Sequence, residues 1–199
     1  MIAKGCYGIA LSPLPFLLIF SILSIFNRNF VILAFVAAFI QSFFLYFFRD
    51  VKREINNGII SPADGRVLYV KDNEIAIFMS VFDMHVNLAP YDGKIKKMIY
   101  RKGKHKPAYG ETSKNERMEI YMDTEIGEIA IIQIAGIFAR RILPYVGEGQ
   151  YVKKGEKIGI IKFGSRVELK LPENCKITIR RGDKIKAGET IATQIFINA

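Results

Sequence analysis

Between Gly5 and Phe48 the one side chain expected to be charged at neutral pH is Arg28, and no acidic residue occurs before Asp50. Two apolar stretches result, roughly Gly5 to Phe26 and Phe30 to Phe48, separated by Asn27, Arg28 and Asn29. Each holds about 20 residues, and a helix of that length spans about 30 Å, the thickness of a bilayer's hydrocarbon core. The pattern predicts a transmembrane helical hairpin over residues 1–48. A cleavable signal peptide would have a shorter apolar region, and the second stretch follows with no room for a mature domain start. Pro13 and Pro15 predict a kink in the first helix, so a shallow re-entrant insertion is the alternative geometry.

Flanking charge orients such a hairpin. Lys4 before it, and Arg49, Lys52 and Arg53 after it, outnumber Arg28, so both ends are expected on the cytoplasmic side of the cell membrane. Residues 49–199 carry 27 of the 29 Lys and Arg (all but Lys4 and Arg28) against all 19 acids, a net charge of +8. A basic domain held at a bilayer is drawn to anionic lipid by roughly 1 kcal/mol per basic residue near the surface. A nucleic-acid partner would call for an aromatic-flanked basic stripe or a recognised binding module, and neither is present. A basic surface serving solubility alone is the plainer reading. Cys6 and Cys175, one in the hairpin and one far from it, argue against a disulfide framework and against a cysteine-ligated metal site.

After Asn57 the chain breaks into short runs rich in β-branched and aromatic residues, punctuated by Gly, Pro, Asp and Asn. They are Gly65 to Val70, Glu74 to Ser80, Ile95 to Tyr100, Met118 to Met122, Glu128 to Ile134, Lys157 to Phe163, Val167 to Leu171, Lys176 to Ile179 and Thr190 to Ile197. With no long amphipathic helix between them, they predict a mostly-β sandwich or barrel. One repeat is visible at an offset of 33 residues. Gly149, Val152, Lys153, Gly155, Glu156 and Ile158 match Gly182, Ile185, Lys186, Gly188, Glu189 and Ile191. The pattern resembles the paired half-motifs of the biotinyl/lipoyl-like β-sandwich. The stretch between the repeats, which includes Gly164-Ser165, is therefore expected to cross the middle of the sheet structure.

A Gly-Ser pair is weak as a motif, but this one lies in Phe163-Gly164-Ser165-Arg166-Val167, between two apolar runs where an ordinary turn would be more polar. Five further motifs occur in order. These are Phe47-Phe48-Arg49-Asp50; Ser61-Pro62-Ala63-Asp64-Gly65; Asp83-Met84-His85-Val86-Asn87 with Pro90; Asn115-Glu116-Arg117; and Gln133-Ile134-Ala135-Gly136 with Ala139-Arg140-Arg141. Together, behind a membrane hairpin, they resemble the short form, about 200 residues, of the phosphatidylserine decarboxylase family, over nearly the whole chain.

The resemblance implies a self-processing lyase of phospholipid biosynthesis acting on phosphatidylserine or its ether-linked archaeal analogue. Ser165 Oγ would attack the Gly164 carbonyl, and elimination of the resulting ester would leave a β chain of residues 1–164 and an α chain of 35 residues from Ser165. The two would remain together as a heterodimer, with a higher homo-oligomer left open. The new terminus would carry a covalent pyruvoyl cofactor, which forms a Schiff base with the substrate amine and accepts the electrons left when CO₂ departs. His85 is the candidate proton donor to the substrate carbon, since an imidazole exchanges protons near neutral pH. Asp64 would hold a histidine that activates Ser165. Longer family members carry a second histidine three residues after the one matching His85, and this chain has Leu88 there. Either His85 serves both steps or Asp64 acts on Ser165 without a histidine relay. Arg117, Arg140, Arg141 and Arg166 are the candidates for binding the lipid phosphate, because guanidinium offers a fork of donors to oxyanions.

Each residue also has a plainer reading. Asp64-Gly65 is a common turn pair, His85 suits a buried core histidine, the arginines suit surface ion pairs, and His105 between Lys104 and Lys106 reads as a loop residue. The rival for the whole chain is a non-enzymatic, membrane-anchored lipoyl-like adaptor. A carrier of that kind needs a modifiable lysine on the turn between hairpins, where Gly164-Ser165 stands instead, and an efflux-type adaptor needs sustained heptads, which are absent.

Overall fold

The chain divides into two units, Met1–Val51 and Lys52–Ala199, in a computed structural model that describes residues 1–137, 141–162 and 165–195. In the first unit the helices are α1 (Tyr7–Ala10), α2 (Leu14–Phe26) and α3 (Phe30–Phe47). The break between α1 and α2 falls at Pro13, which lacks an N–H and interrupts the ladder. The Leu14 amide bonds to Leu11 O at 3.1 Å, and Gln41 Nε2 of α3 donates to the Ala10 carbonyl at 3.0 Å. The segments Tyr7–Phe26 and Phe30–Phe47 are each long and apolar enough to cross a membrane. Ile25, Phe26, Phe35 and Phe39 stand exposed on them, which water would penalise and hydrocarbon would not.

The second unit is mainly β. Its strands are β1 (Ile59–Ile60), β2 (Gly65–Lys71), β3 (Glu74–Met79), β4 (Val86–Leu88), β5 (Gly93–Arg101), β6 (Arg117–Thr124), β7 (Gly127–Ala135), β8 (Ile142–Pro144), β9 (Tyr151–Val152), β10 (Lys157–Ile161), β11 (Ser165–Lys170), β12 (Cys175–Ile177), β13 (Lys184–Ile185) and β14 (Thr190–Gln194). Among the described residues they form one sheet in the order β13-β2-β3-β11-β7-β6-β5-β9 and two smaller ones, β1-β14-β12 and β4-β10-β8. Strand β11 lies well inside the large sheet, antiparallel to β3 on one side and β7 on the other. Successive residues of a strand point to opposite faces, so Val167 and Leu169 enter the core with Ile75, Ile77 and Ile131, while Arg166 and Glu168 take the other face.

Each of the nine predicted runs overlaps a strand, with bounds that differ by a few residues. The distal ends of two of them, Phe163 and residues 196–197, lie outside the described residues. The strands not foreseen, β1, β4, β8, β9 and β13, are two or three residues long, too short to show an alternating pattern.

The 33-residue repeat is a structural repeat. Gly155 and Gly188 both adopt left-handed backbone, φ +82° and +94°, which glycine accepts without a Cβ clash. Their amides donate to Ala89 O at 2.9 Å and Ser61 O at 3.0 Å. Glu156 and Glu189 each cap the turn through Oε2, accepting from Lys153 N at 3.0 Å and Lys186 N at 2.9 Å. These contacts expose a second repeat, at an offset of 28: Ser61-Pro62-Ala63-Asp64-Gly65 corresponds to Ala89-Pro90-Tyr91-Asp92-Gly93. The Ile60 amide donates to Pro90 O at 3.0 Å and the Leu88 amide to Pro62 O at 2.9 Å, so the two corners are tied reciprocally. Asp64 accepts from Ala187 N at 2.9 Å just as Asp92 accepts from Lys154 N at 2.6 Å.

Candidate active site

The two corners differ where chemistry is expected. Asp92 is exposed, whereas Asp64 is buried and takes two further donors on Oδ2, the Arg53 guanidinium and the Met84 amide at 3.3 Å. Asp64 therefore ties together the chain entering the unit, the second repeat and the residue next to His85. Its described hydrogen bonds run to these groups rather than to His85 or Ser165.

His85 is fully buried just ahead of β4. Its carbonyl accepts from Ile161 N at 3.3 Å at the end of β10, four residues before Ser165. Its Nδ1 lies 2.9 Å from the Asp83 carbonyl oxygen. A carbonyl only accepts, so Nδ1 bears a hydrogen, and in the neutral form of the ring Nε2 is the nitrogen with the lone pair. The preceding turn is fixed by the Asp83 carboxylate, which accepts from Ser80 N at 2.8 Å and Ser80 Oγ at 2.7 Å.

Ser165 opens β11, fully buried, in register with Met79 on β3 and Ala135 on β7. Its Oγ donates to Met79 Sδ at 3.2 Å. Asn87 Nδ2 lies 3.8 Å from the same sulfur, and Gln133 Nε2 donates to Asn87 Oδ1 at 2.7 Å. A chain of buried polar groups, Gln133–Asn87–Met79–Ser165, thus crosses the core to the serine. Gly159 makes room for it, since a Cβ there would lie 3.1 Å from Gln133 Nε2. Beside the serine's register partners opens a cavity of about 160 Å³, lined by Phe78, Met79, Ser80, Val81, Pro107, Ala108, Tyr109, Gly136 and Ile137.

A comparison with known families matches residues 40–193 to the one described as phosphatidylserine decarboxylase. The chain belongs to the phosphatidylserine decarboxylase family. It is 49% identical over 150 residues to the "Putative archaetidylserine decarboxylase proenzyme" of Archaeoglobus fulgidus, covering 75% of this chain and 77% of that protein. It is 47% identical over 153 residues to the phosphatidylserine decarboxylase proenzyme of Streptomyces coelicolor, covering 73% and 70%. The namesake protein of Desulfotalea psychrophila is 39% identical over 182 residues, covering 83% and 85%. The family is one of carboxy-lyases, and the matched span contains every candidate site residue.

As a phosphatidylserine decarboxylase, the chain assigns its arginines unevenly. Arg117 donates to the Thr112 carbonyl and, at 3.3 Å, to Asn115 O, bracing the loop between β5 and β6. Arg166 pairs with Glu168 at 2.5 Å and donates to Gly110 O at 3.3 Å, on the sheet face opposite to Ser165. Arg141 is exposed. Arg140 and Gly164 lie outside the described residues. Leu88 is a buried residue of β4 paired with Lys157 of β10. Reading the sequence missed Arg53 as the partner of Asp64, and the roles of Met79, Asn87 and Gln133. A signal for Gln133 existed: it is the one amide in the otherwise apolar run Ile129 to Ala135, at an inward position.

Proposed function

We propose that this chain is the proenzyme of a membrane-attached carboxy-lyase of phospholipid synthesis. It removes CO₂ from a lipid with a phosphoserine headgroup, phosphatidylserine or archaetidylserine, using a pyruvoyl group made from its own Ser165. The observation that carries this reading is Ser165 itself, buried at the head of an interior strand with its register partner Met79 lining a cavity, in a chain whose relatives are named proenzymes. Matched corners and turn hairpins support a biotinyl/lipoyl-like sandwich as the fold.

Self-cleavage begins when Ser165 Oγ attacks the Gly164 carbonyl and the acyl group passes from nitrogen to oxygen. Loss of the Ser165 α-proton then expels the Gly164 carboxylate, and water converts the remaining enamine to a ketone with release of ammonia. His85 Nε2, the nitrogen that can take a proton when Nδ1 donates to the Asp83 carbonyl, is the base proposed for these transfers and the acid that returns a proton to the product carbon. Asp64 positions it through the Met84 amide. The surroundings of Ser165 fit a small keto cap: the side chain is shielded from water, and apolar Met79 and Ala135 flank it. The pyruvoyl group supplies the carbonyl and electron sink that amino-acid decarboxylation requires.

Residues 1–48 form the membrane hairpin in this reading, and residues 49–199 the catalytic domain. The excess of Lys and Arg beside the hairpin's ends supports the cytoplasmic side. Arg141 remains a candidate for the lipid phosphate.

Intact-mass analysis of the denatured, active protein tests the proposal. Two chains are expected, the shorter comprising residues 165–199 and lighter by about 17 Da, the mass of ammonia, than the same peptide with a free amine. A single uncut species from an active preparation, or normal turnover by Ser165→Ala, would overturn it.

A further inference from the structure

The cavity lined by Met79, the register partner of Ser165, reaches the surface at an apolar rim. Two of its lining side chains, Tyr109 and Ile137, are 67% and 50% exposed, and Phe82, next to the lining residue Val81, is 65% exposed. These three come from separate segments: the turn after β3, the loop between β5 and β6, and the residues after β7. Large side chains left in water by three different segments around one opening mark a contact surface.

Charge identifies what it contacts. The stretch from Arg101 to Lys114 carries Arg101, Lys102, Lys104, Lys106 and Lys114 against the single acid Glu111, a net charge of +4 with His105 neutral. Lys102, Lys104 and Lys106 are exposed. Exposed apolar side chains, one of them on a loop rich in exposed lysines, complement a bilayer whose headgroups are anionic and whose interior is hydrocarbon.

The loop is also held rigidly. Lys104 N donates to Lys114 O at 2.7 Å and Glu116 N to Lys104 O at 3.1 Å. Gly103 allows this approach, because a Cβ there would meet the Asn115 carbonyl carbon at 2.5 Å. Asn115 Nδ2 donates to both Lys106 O and Ala135 O at 2.8 Å, fastening the loop to the register partner of Ser165. The Tyr109 ring sits edge-on to Phe78 with centroids 6.0 Å apart.

We infer that the rim of Phe82, Tyr109 and Ile137, with the lysines of the 101–114 loop, is a docking surface for an anionic bilayer. It seats the cavity mouth against the membrane so that a headgroup enters without its lipid leaving. The inference rests on the reading of the cavity as the active site.

The chain contains no tryptophan, so Tyr109→Trp introduces a unique indole at the rim. The full, processed chain is reconstituted in vesicles of phosphatidylcholine and phosphatidylglycerol with brominated acyl chains. Fluorescence of the rim indole is expected to shift to the blue and to be quenched. A Tyr151→Trp control, on β9 at the far end of β5 from the loop, should be unquenched. Lys102→Glu/Lys104→Glu should reduce the ratio of turnover on vesicles to turnover on a water-soluble short-chain substrate by about tenfold or more. An unquenched rim indole in membrane-bound protein, or equal quenching at both positions, overturns the docking surface. So does a blue shift that grows with protein concentration in the absence of lipid, which would make the occupant a second copy. Quenching requires no turnover, so it decides the docking surface even if the decarboxylase reading fails.

Discussion

Replacing Asp64 by alanine removes one acceptor group from three donors: the Arg53 guanidinium, the Met84 amide at 3.3 Å and the Ala187 amide at 2.9 Å. The two charged side chains are 19% and 7% exposed. Deleting one member of a buried ion pair costs about 3–5 kcal/mol, and the partial exposure of Arg53 lowers this to roughly 2–3. Each orphaned amide adds about 1 kcal/mol, less for the longer bond. The expected loss is therefore about 3–5 kcal/mol. Arg53→Met/Asp64→Asn removes both charges while the asparagine Oδ1 still accepts one amide, so it should cost about half as much. Denaturant unfolding in detergent, with every variant built on Ser165→Ala so that all samples stay uncut, measures both. If Asp64→Ala lies within about 0.5 kcal/mol of its parent, or the double variant is the less stable, the assigned anchoring role is wrong.

Three further outcomes are expected. Gly182 and Gly188 share a left-handed backbone, φ +95° and +94°, but a Cβ at Gly182 meets nothing within 4 Å whereas one at Gly188 would lie 2.1 Å from Glu54 O; Gly182→Ala should cost about 1–2 kcal/mol and Gly188→Ala at least about 2 more, by the same unfolding assay. Burial works against the charge on Glu119, yet hydrogen bonds from Arg101 and Tyr121 outweigh it and hold its carboxyl below the ordinary carboxylate range. Its stabilisation is thus present above the unfolded-state value and lost as pH falls through the folded one. Glu119→Gln should flatten the acid limb of the stability profile, by less than about 1 kcal/mol because Arg101 is largely solvated. Met79→Leu removes the sulfur that accepts from Ser165 Oγ at nearly constant volume, so stability should fall by less than about 1.5 kcal/mol while self-cleavage, followed by electrophoresis, slows about fivefold.

The sequence was most informative where a pattern repeats over many residues. Apolar runs of helix-spanning length marked α2 and α3, and alternating runs marked the long strands from β2 to β11. Gly155-Glu156 and Gly188-Glu189 announced matched turns because left-handed backbone and a glutamate cap restrict residue choice. The companion corners were hidden: between Ser61-Pro62-Ala63-Asp64-Gly65 and Ala89-Pro90-Tyr91-Asp92-Gly93 only Pro, Asp and Gly agree, and the tie between them is made by backbone groups. Candidate chemistry was legible as residue types, a serine after glycine and a histidine among apolar neighbours. Its geometry was not, since Arg53 meets Asp64, and Gln133 meets Asn87, only through long-range folding.

The location of Ser165 has a bearing on what happens once the backbone ahead of it is opened. All six residues of β11 are laced into β3 on one side and β7 on the other, β13 pairs with β2, and β14 pairs with β1. The 35-residue piece would therefore be interwoven with its longer companion at three places, and the Asp64–Ala187 bond would become a bridge between separate polypeptides. Neither fragment retains a complete set of neighbours for its strands. The pair should behave as an inseparable complement, formed correctly only when folding precedes the cut.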